Sequence, residues 1–318
     1  MKTNLLEHQQ KAYDKLKSLT VGALFMEMGT GKTRTALELI KLRLDNNKVD
    51  YILWLCPCRV KKDLKLELSK HTDIKVDIVG IETLSTSIRE NSRLLDLVQS
   101  KKVYLIVDES SLVKNKEAIR TQNIIRLSQY CKYKLILNGT PISRSMTDLF
   151  SQMYILDWRI LGYKSFWSFA RNHLEYDDKG QVSRVLNTDY ITSKIAPYSY
   201  QVTKDECLKL PPKINTTKSY YLPDKHREHY NRVADKFLFE LDELKPHTIY
   251  RLITALQLVI SGFYISKDEE KSIIKTKMYI NPYDNPRIQA LLENITNNKT
   301  IIYCKYIEEV KDIEKVLS

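Results

Sequence analysis

Residues 26–33 read Met26-Glu27-Met28-Gly29-Thr30-Gly31-Lys32-Thr33, directly after the apolar run Ala23-Leu24-Phe25 and directly before the helical pattern Ala36-Leu37-Leu39-Ile40. A strand, a glycine-bearing turn and a helix in that order make a phosphate-binding loop. Gly29 and Gly31 let the backbone curl so that its N–H groups converge on an anion, and the helix that follows adds its N-terminal partial positive charge. Lys32 is placed to reach the β- and γ-phosphates of a nucleotide, and the Thr33 hydroxyl to ligate Mg²⁺. The general pattern has glycine at position 26, where this chain carries Met26.

Outward from the loop, the chain alternates short apolar runs with helical periodicity. Strands are expected over 22–25, 51–55, 75–80, 102–107 and 134–138, and helices near 5–18, 32–45, 59–69, 85–99, 116–129 and 145–156. That alternation predicts an α/β fold with a parallel sheet and crossover helices. Ligands in such sheets bind outside the carboxyl ends of the strands, and each candidate residue below stands at such an end. After 157 the pattern changes. An aromatic stretch (Trp158, Tyr163, Phe166, Trp167, Phe169) reads as core by its helical spacing, with base stacking as the alternative. Asp177-Asp178-Lys179-Gly180 reads as a turn, and 223–244 and 246–264 read as two helices. The charged stretch 265–285, ending in Pro282, Asp284, Asn285 and then Pro286, reads as a linker. A helix over 287–296, a strand over 300–304 and a helix over 306–317 close the chain.

Two further strand ends carry polar groups suited to phosphoryl chemistry. Val103-Tyr104-Leu105-Ile106-Val107 delivers Asp108 and Glu109, one carboxylate suited to Mg²⁺ and the next to orienting and deprotonating water. Adjacent carboxylates at a strand end are also common as solvated turn residues; the upstream phosphate loop favours the hydrolytic reading. Leu135-Ile136-Leu137 runs into Asn138-Gly139-Thr140-Pro141, by itself an ordinary strand–turn. Near the start, Gln9 precedes an amphipathic helix and has the paired donor and acceptor that an adenine edge requires.

Composition bounds the partners. The 318 residues, 43% hydrophobic, allow about two domains, and no apolar run approaches the ~18 residues of a membrane span. The opening MKTNLLEHQQ lacks the apolar stretch of a signal peptide. Five scattered cysteines without a C-x-x-C pair suit free thiols in a reducing cytoplasm; Cys56 and Cys58, flanking Pro57, read as packing residues. A net charge of +12 points to a polyanion, nucleic acid above all, with a Lys-rich soluble surface as the plainer alternative. Lys61-Lys62-Lys65 fits a phosphate contact or a solvated face equally, and His226 and His229 read as surface residues, not metal ligands.

In this order and spacing the motifs resemble the Swi/Snf-type ATPases of helicase superfamily two, in particular their small phage and bacterial members. Gln9 matches the family's adenine-reading glutamine, and Glu27 to Thr33 its phosphate loop, in which position 26 is usually acidic. Leu55-Cys56-Pro57 with Leu64 and Glu67, and Gly80-Ile81-Glu82-Thr83-Leu84, resemble two segments that grip a DNA strand. Asp108-Glu109-Ser110-Ser111 with Val113-Lys114-Asn115 resembles the acidic box and its tail; Ser111 replaces the usual histidine. Asn138-Gly139-Thr140-Pro141 resembles the coupling motif, with Asn138 for a hydroxyl residue. Tyr200-Gln201-Val202-Thr203-Lys204-Asp205 with Leu210-Pro211-Pro212-Lys213 resembles the element ending the first lobe, where two arginines usually stand in place of Tyr200 and Gln201. The likeness continues through Leu256–Phe263 and Lys299–Cys304, so it covers nearly the whole chain.

The resemblance implies a RecA-like first lobe over 1–156, a mostly helical extension over 157–264 that completes and follows it, a linker over 265–285, and the start of a second RecA-like lobe over 286–318. It implies ATP and Mg²⁺ as ligands and double-stranded DNA as partner. Nucleotide would be held by Gln9, Met28, Gly29, Thr30, Gly31, Lys32 and Thr33, the metal by Thr33 and Asp108, with Glu109, Asp108 and Lys32 catalytic. Asn138, Gly139 and Thr140 would couple nucleotide to DNA, which Pro57, Arg59, Thr83 and Lys114 would contact. A complete second lobe also supplies arginines worth about 10³–10⁵ in rate. With few residues of that lobe present, the expectation is a fragment or a chain completed by another, with low turnover of these 318 residues alone. A nucleotide-switched DNA-binding or regulatory protein is the alternative reading; a small-molecule kinase fits the acidic pair and Asn-Gly-Thr-Pro turn less well.

Overall fold

The computed structural model describes residues 1–139, 147–239, 246–267 and 273–318, in two compact units, Met1–Pro211 and Pro212–Ser318. The first is built on a six-stranded sheet: β1 (Val21–Met26), β2 (Tyr51–Cys56), β3 (Asp77–Gly80), β4 (Val103–Asp108), β5 (Tyr133–Asn138) and one late strand, Ser199–Val202. A two-stranded ribbon, β6 (Leu174–Tyr176) and β7 (Val182–Val185), intervenes, so the late strand is β8. The order is β3-β2-β4-β5-β1-β8, and every pairing is parallel.

Parallel strands covered on both faces read as continuous apolar runs, because alternate side chains enter opposite cores. Ala23, Phe25, Leu53, Leu55, Leu105, Val107 and Ile136 enter one core, with Leu94, Val98, Ile124, Leu127 and Leu149 from the helices Ile88–Ser100, Ile119–Ser128 and Asp148–Leu156. Leu24, Met26, Ile52, Trp54, Tyr104, Ile106, Leu135 and Leu137 enter the other, against Ala12, Leu16, Leu37, Ile40, Leu64 and Leu68 from Glu7–Leu16, Lys32–Asp45 and Lys61–His71. At ~25 cal/mol per Å² of apolar surface removed from water, these two layers are the main source of the first unit's stability.

β4, β5 and β1 lie side by side, so their carboxyl ends bring residues near 108, 138 and 26 to one place. β2 and β3 are neighbours on the far side of β4, and β8 lies at the opposite edge beside β1.

The five expected strands are present to within two residues at each end. β8 was not foreseen. Ser-Tyr-Gln-Val has no apolar run; it is a half-exposed edge strand held by pairing with Ala23–Met26. Of the aromatic stretch, Phe169 is buried and Tyr163 and Phe166 pack around it, but Trp167 is 74% exposed.

The second unit contains helices Asp224–Phe239, Pro246–Ile260, Pro286–Leu292 and Ile307–Leu317, with an antiparallel hairpin of β9 (Phe263–Lys267) and β10 (Ile273–Lys277). That hairpin occupies part of the stretch expected as a linker. Residues 300–304, expected as a strand, form no ladder among the described residues. A strand needs a neighbour to satisfy its backbone, and Ile301 and Tyr303 are instead 78% and 90% exposed. His226 and His229 are half-buried, not surface residues: the His226 ring nitrogen Nδ1 lies 2.8 Å from the Tyr279 hydroxyl, and both rings pack on Tyr264.

Candidate functional site

The turn after β1 has the backbone that its glycines permit. Gly29 and Gly31 sit at φ 83° and 87°, in the left-handed region that side chains avoid. A Cβ on Gly31 would meet Gln9 Nε2, so a larger residue there would displace the Gln9 amide. The Thr30 N–H and hydroxyl both donate to the Glu27 carbonyl, at 3.2 and 2.7 Å, which closes the turn on itself. Lys32 opens the following helix, with Thr33 next to it, and its ammonium donates to the Met26 carbonyl at 2.8 Å. Met28 projects outward, 67% exposed.

Asp108 and Glu109 end β4 beside this loop. Burial pushes the Asp108 carboxyl up to about 6, helped by the neighbouring Glu109 charge and opposed by hydrogen bonds and by Lys32. Trp54 Nε1 donates to one oxygen at 3.3 Å and the Glu109 N–H to the other at 2.9 Å. Glu109 adopts φ 49°, a left-handed backbone without the glycine that makes it easy; such strain costs of order 1–3 kcal/mol and clusters at functional sites. Burial lowers the Lys32 ammonium, while Glu109, Asp108 and Glu67 pull it up and Lys204 lowers it further. The lysine and the acidic pair therefore share one electrostatic environment.

Asn138, fully buried, ends β5, and Gly139 follows. A Cβ on Gly139 would stand 3.6 Å from the Met28 nitrogen and 3.8 Å from Lys32 Nζ, so this turn lies directly against the phosphate loop. Thr140, expected in the same motif, lies outside the described residues.

Gln9 is buried against the loop. Its Oε1 accepts the Leu6 N–H at 3.0 Å and its Nε2 donates to the Thr30 carbonyl at 3.1 Å, where the His8 ring also binds at 2.7 Å. An amide has two donor hydrogens and two acceptor lone pairs, so these bonds leave one of each for a base edge.

The remaining expected residues follow β2, β3 and the acidic pair. Pro57 is buried and Arg59 exposed after β2; Thr83 is half-buried after β3. The two turns are joined: the Ile81 N–H donates to the Cys56 carbonyl at 2.8 Å, and the Cys58 N–H to the Glu82 carboxylate at 2.8 Å. Lys114 is half-buried, its ammonium 3.5 Å from Asp148.

Hydroxyl and carboxylate oxygens of Thr33, Asp108 and Glu109 are the hard donors Mg²⁺ prefers. Among the described residues no group of three His, Cys, Asp or Glu is placed to hold a metal alone.

Two contributors were not singled out from sequence. Trp54 was legible in principle, since a fully buried indole needs a partner for its N–H. Lys204, next to the loop through Glu27, carries no local signal of the contact.

A lysine-bearing glycine turn, an acidic pair and a third turn at adjacent ends of a parallel sheet define a nucleotide-binding α/β protein of the RecA-like kind. The family model for the SNF2-related domain matches residues 61–278, and the chain belongs to that family. The matched span takes in the acidic pair and Lys204, while the phosphate loop precedes it. Among similar curated proteins, the ISWI chromatin-remodeling complex ATPase ISW2 of Saccharomyces cerevisiae is 27% identical over 68% of this chain and 21% of its own length. The SWI/SNF-related matrix-associated actin-dependent regulator of chromatin subfamily A-like protein 1 of Drosophila melanogaster is 31% identical over 44% of this chain and 20% of its own. This chain thus spans about a fifth of either relative. The Sulfolobus solfataricus SWI2/SNF2 ATPase core in complex with dsDNA shares the fold, with a TM-score of 0.54 at 23% identity over 82% of this chain and 59% of that one. Among the described residues no helix is long and apolar enough to cross a membrane.

Proposed function

We propose that the chain hydrolyses ATP and couples hydrolysis to movement on double-stranded DNA. The observation that carries the reading is the meeting of Lys32, the Asp108–Glu109 pair and Gly139 at the ends of three adjacent strands. The loop amides and Lys32 hold the phosphates, and Gln9 reads the adenine edge with its remaining donor and acceptor. Thr33 and Asp108 would hold Mg²⁺, which would supply neutralisation of charge on the phosphates. Glu109, aimed by its strained backbone, orients the attacking water and takes its proton. The residues otherwise act by positioning and charge, as phosphoryl transfer requires.

Joined turns carrying Arg59 and Thr83 supply a surface for one DNA strand, with Lys114 available where Asp148 releases it. The net charge of +12 supports a polyanionic partner. The archaeal core bound to dsDNA and the chromatin-directed relatives support duplex DNA as that partner.

Steady-state ATP turnover with and without duplex DNA tests this directly. Turnover, slow for this chain alone, should depend on DNA and vanish in Lys32→Ala and in Glu109→Gln, with ATP binding intact in the latter. Hydrolysis indifferent to Lys32→Ala would remove the assignment.

A further inference from the structure

The segment that follows β8 runs beside the phosphate loop. Met26 pairs with Val202, and the Glu27 N–H donates to the Val202 carbonyl at 3.0 Å. Two residues on, the Lys204 N–H donates to Glu27 Oε2 at 2.8 Å, and the Lys204 ammonium lies 3.7 Å from Glu27 Oε1. The Lys204 side chain reaches over the loop, with its Cε 3.7 Å from where a Cβ on Gly29 would stand. Lys204 is half-exposed.

We propose that Lys204 is a second phosphate-binding lysine of the nucleotide site, held over the loop by Glu27 until a triphosphate takes its ammonium. The inference rests on the nucleotide reading above. Three features favour it. A pair at 3.7 Å with both side chains over a third exposed is a weak hold, worth well below what a triphosphate offers an ammonium. Glu27 is gripped separately by the Lys204 backbone, so the ammonium can leave without loosening the loop. Its Cε stands over Gly29, on the same loop from which Lys32 extends.

The alternative is a structural role, with Lys204 and Glu27 only tying β8 to the loop. The two roles separate by direction. Titration of the full chain with a fluorescent ATP analogue in Mg²⁺ buffer should show Lys204→Ala weakening binding about tenfold, the effect of one charge-assisted hydrogen bond. Lys204→Arg should restore most of it. Glu27→Gln, which keeps an acceptor for the backbone N–H but removes the competing charge, should tighten binding. Weakening by both Lys204→Ala and Glu27→Gln, or no change in Lys204→Ala, would overturn the proposal. A wild-type chain that binds no ATP analogue would bring down the nucleotide reading and this with it. Wild-type binding lost in Lys32→Ala but untouched in Lys204→Ala would remove Lys204 alone.

Discussion

Glu82 accepts the Cys58 N–H at 2.8 Å and so ties the turn after β3 to the turn after β2. The bond joins two segments that lie 24 positions apart in sequence, and the Cys56–Ile81 backbone bond beside it makes the two turns one body. Burial pushes the Glu82 carboxyl up, but hydrogen bonds from the Cys58 and Glu82 backbones outweigh it, so its pKa is lowered and it stays charged as an acceptor.

Removing this tie should separate the two halves of the strand ends. Glu82→Ala should weaken duplex DNA binding several-fold, about 1 kcal/mol for one charge-assisted bond, and leave ATP-analogue affinity unchanged. Fluorescence anisotropy with labelled duplex at fixed salt makes the measurement. Equal loss of nucleotide binding would mean the turns serve the whole sheet.

Asp108 sets a pH dependence whose sign can be worked out. Its folded pKa, about 6, lies above the ordinary carboxylate value of 3.8. The folded state therefore holds the proton more tightly. The associated stability is complete below pH ~4 and is lost as pH rises through about 6. At pH 7 the ionised group costs of order 1–2 kcal/mol after allowance for its partial exposure. Asp108→Asn should then raise the melting temperature at pH 7 in metal-free buffer, lose that advantage at pH 4, and abolish ATP turnover. A variant less stable than wild type at pH 7 would contradict the burial argument.

Glu109 offers a parallel trade. Glycine tolerates φ 49° where glutamate is strained. Glu109→Gly should unfold at higher denaturant than Glu109→Ala, by about 1 kcal/mol, with neither variant turning over ATP. Identical midpoints would show that the backbone there is relaxed.

Thiol chemistry checks the core. Burial pushes both Cys56 and Cys131 up to about 12, whereas Cys58 is exposed. Iodoacetamide at pH 8 should modify Cys58 within minutes and leave Cys56 and Cys131 intact until denaturant is added, as followed by peptide mass spectrometry. Early labelling of Cys56 would mean β2 is not in the sheet.

Much of the first unit was legible because its signals are local. A strand buried on both faces is an apolar run, and a loop of Gly29, Gly31 and Lys32 announces its use wherever it folds. Ser199–Val202 was opaque because nothing in those four residues reports that Ala23–Met26 has an unpaired side. The contact between Lys204 and Glu27 was opaque for the same reason. Residues 300–304 misled in the other direction, since the apolar pattern of a strand is present without a neighbour among the described residues. Trp167 kept the spacing of a core aromatic but points to solvent.

The Lys204–Glu27 bond spans 177 positions, and β1 has only β5 and β8 as neighbours in the sheet. On a growing chain β1 is made first, yet it has no ladder partner until residues 133–138 exist and no second one until 199–202. Contacts that distant carry a large loop-closure cost and form slowly. β2, β3 and β4 can pair with each other much earlier. During synthesis the part of the sheet bearing the candidate DNA turns should therefore take shape first, and the most recognisable eight residues of the chain should be the last of the sheet's turns to become rigid.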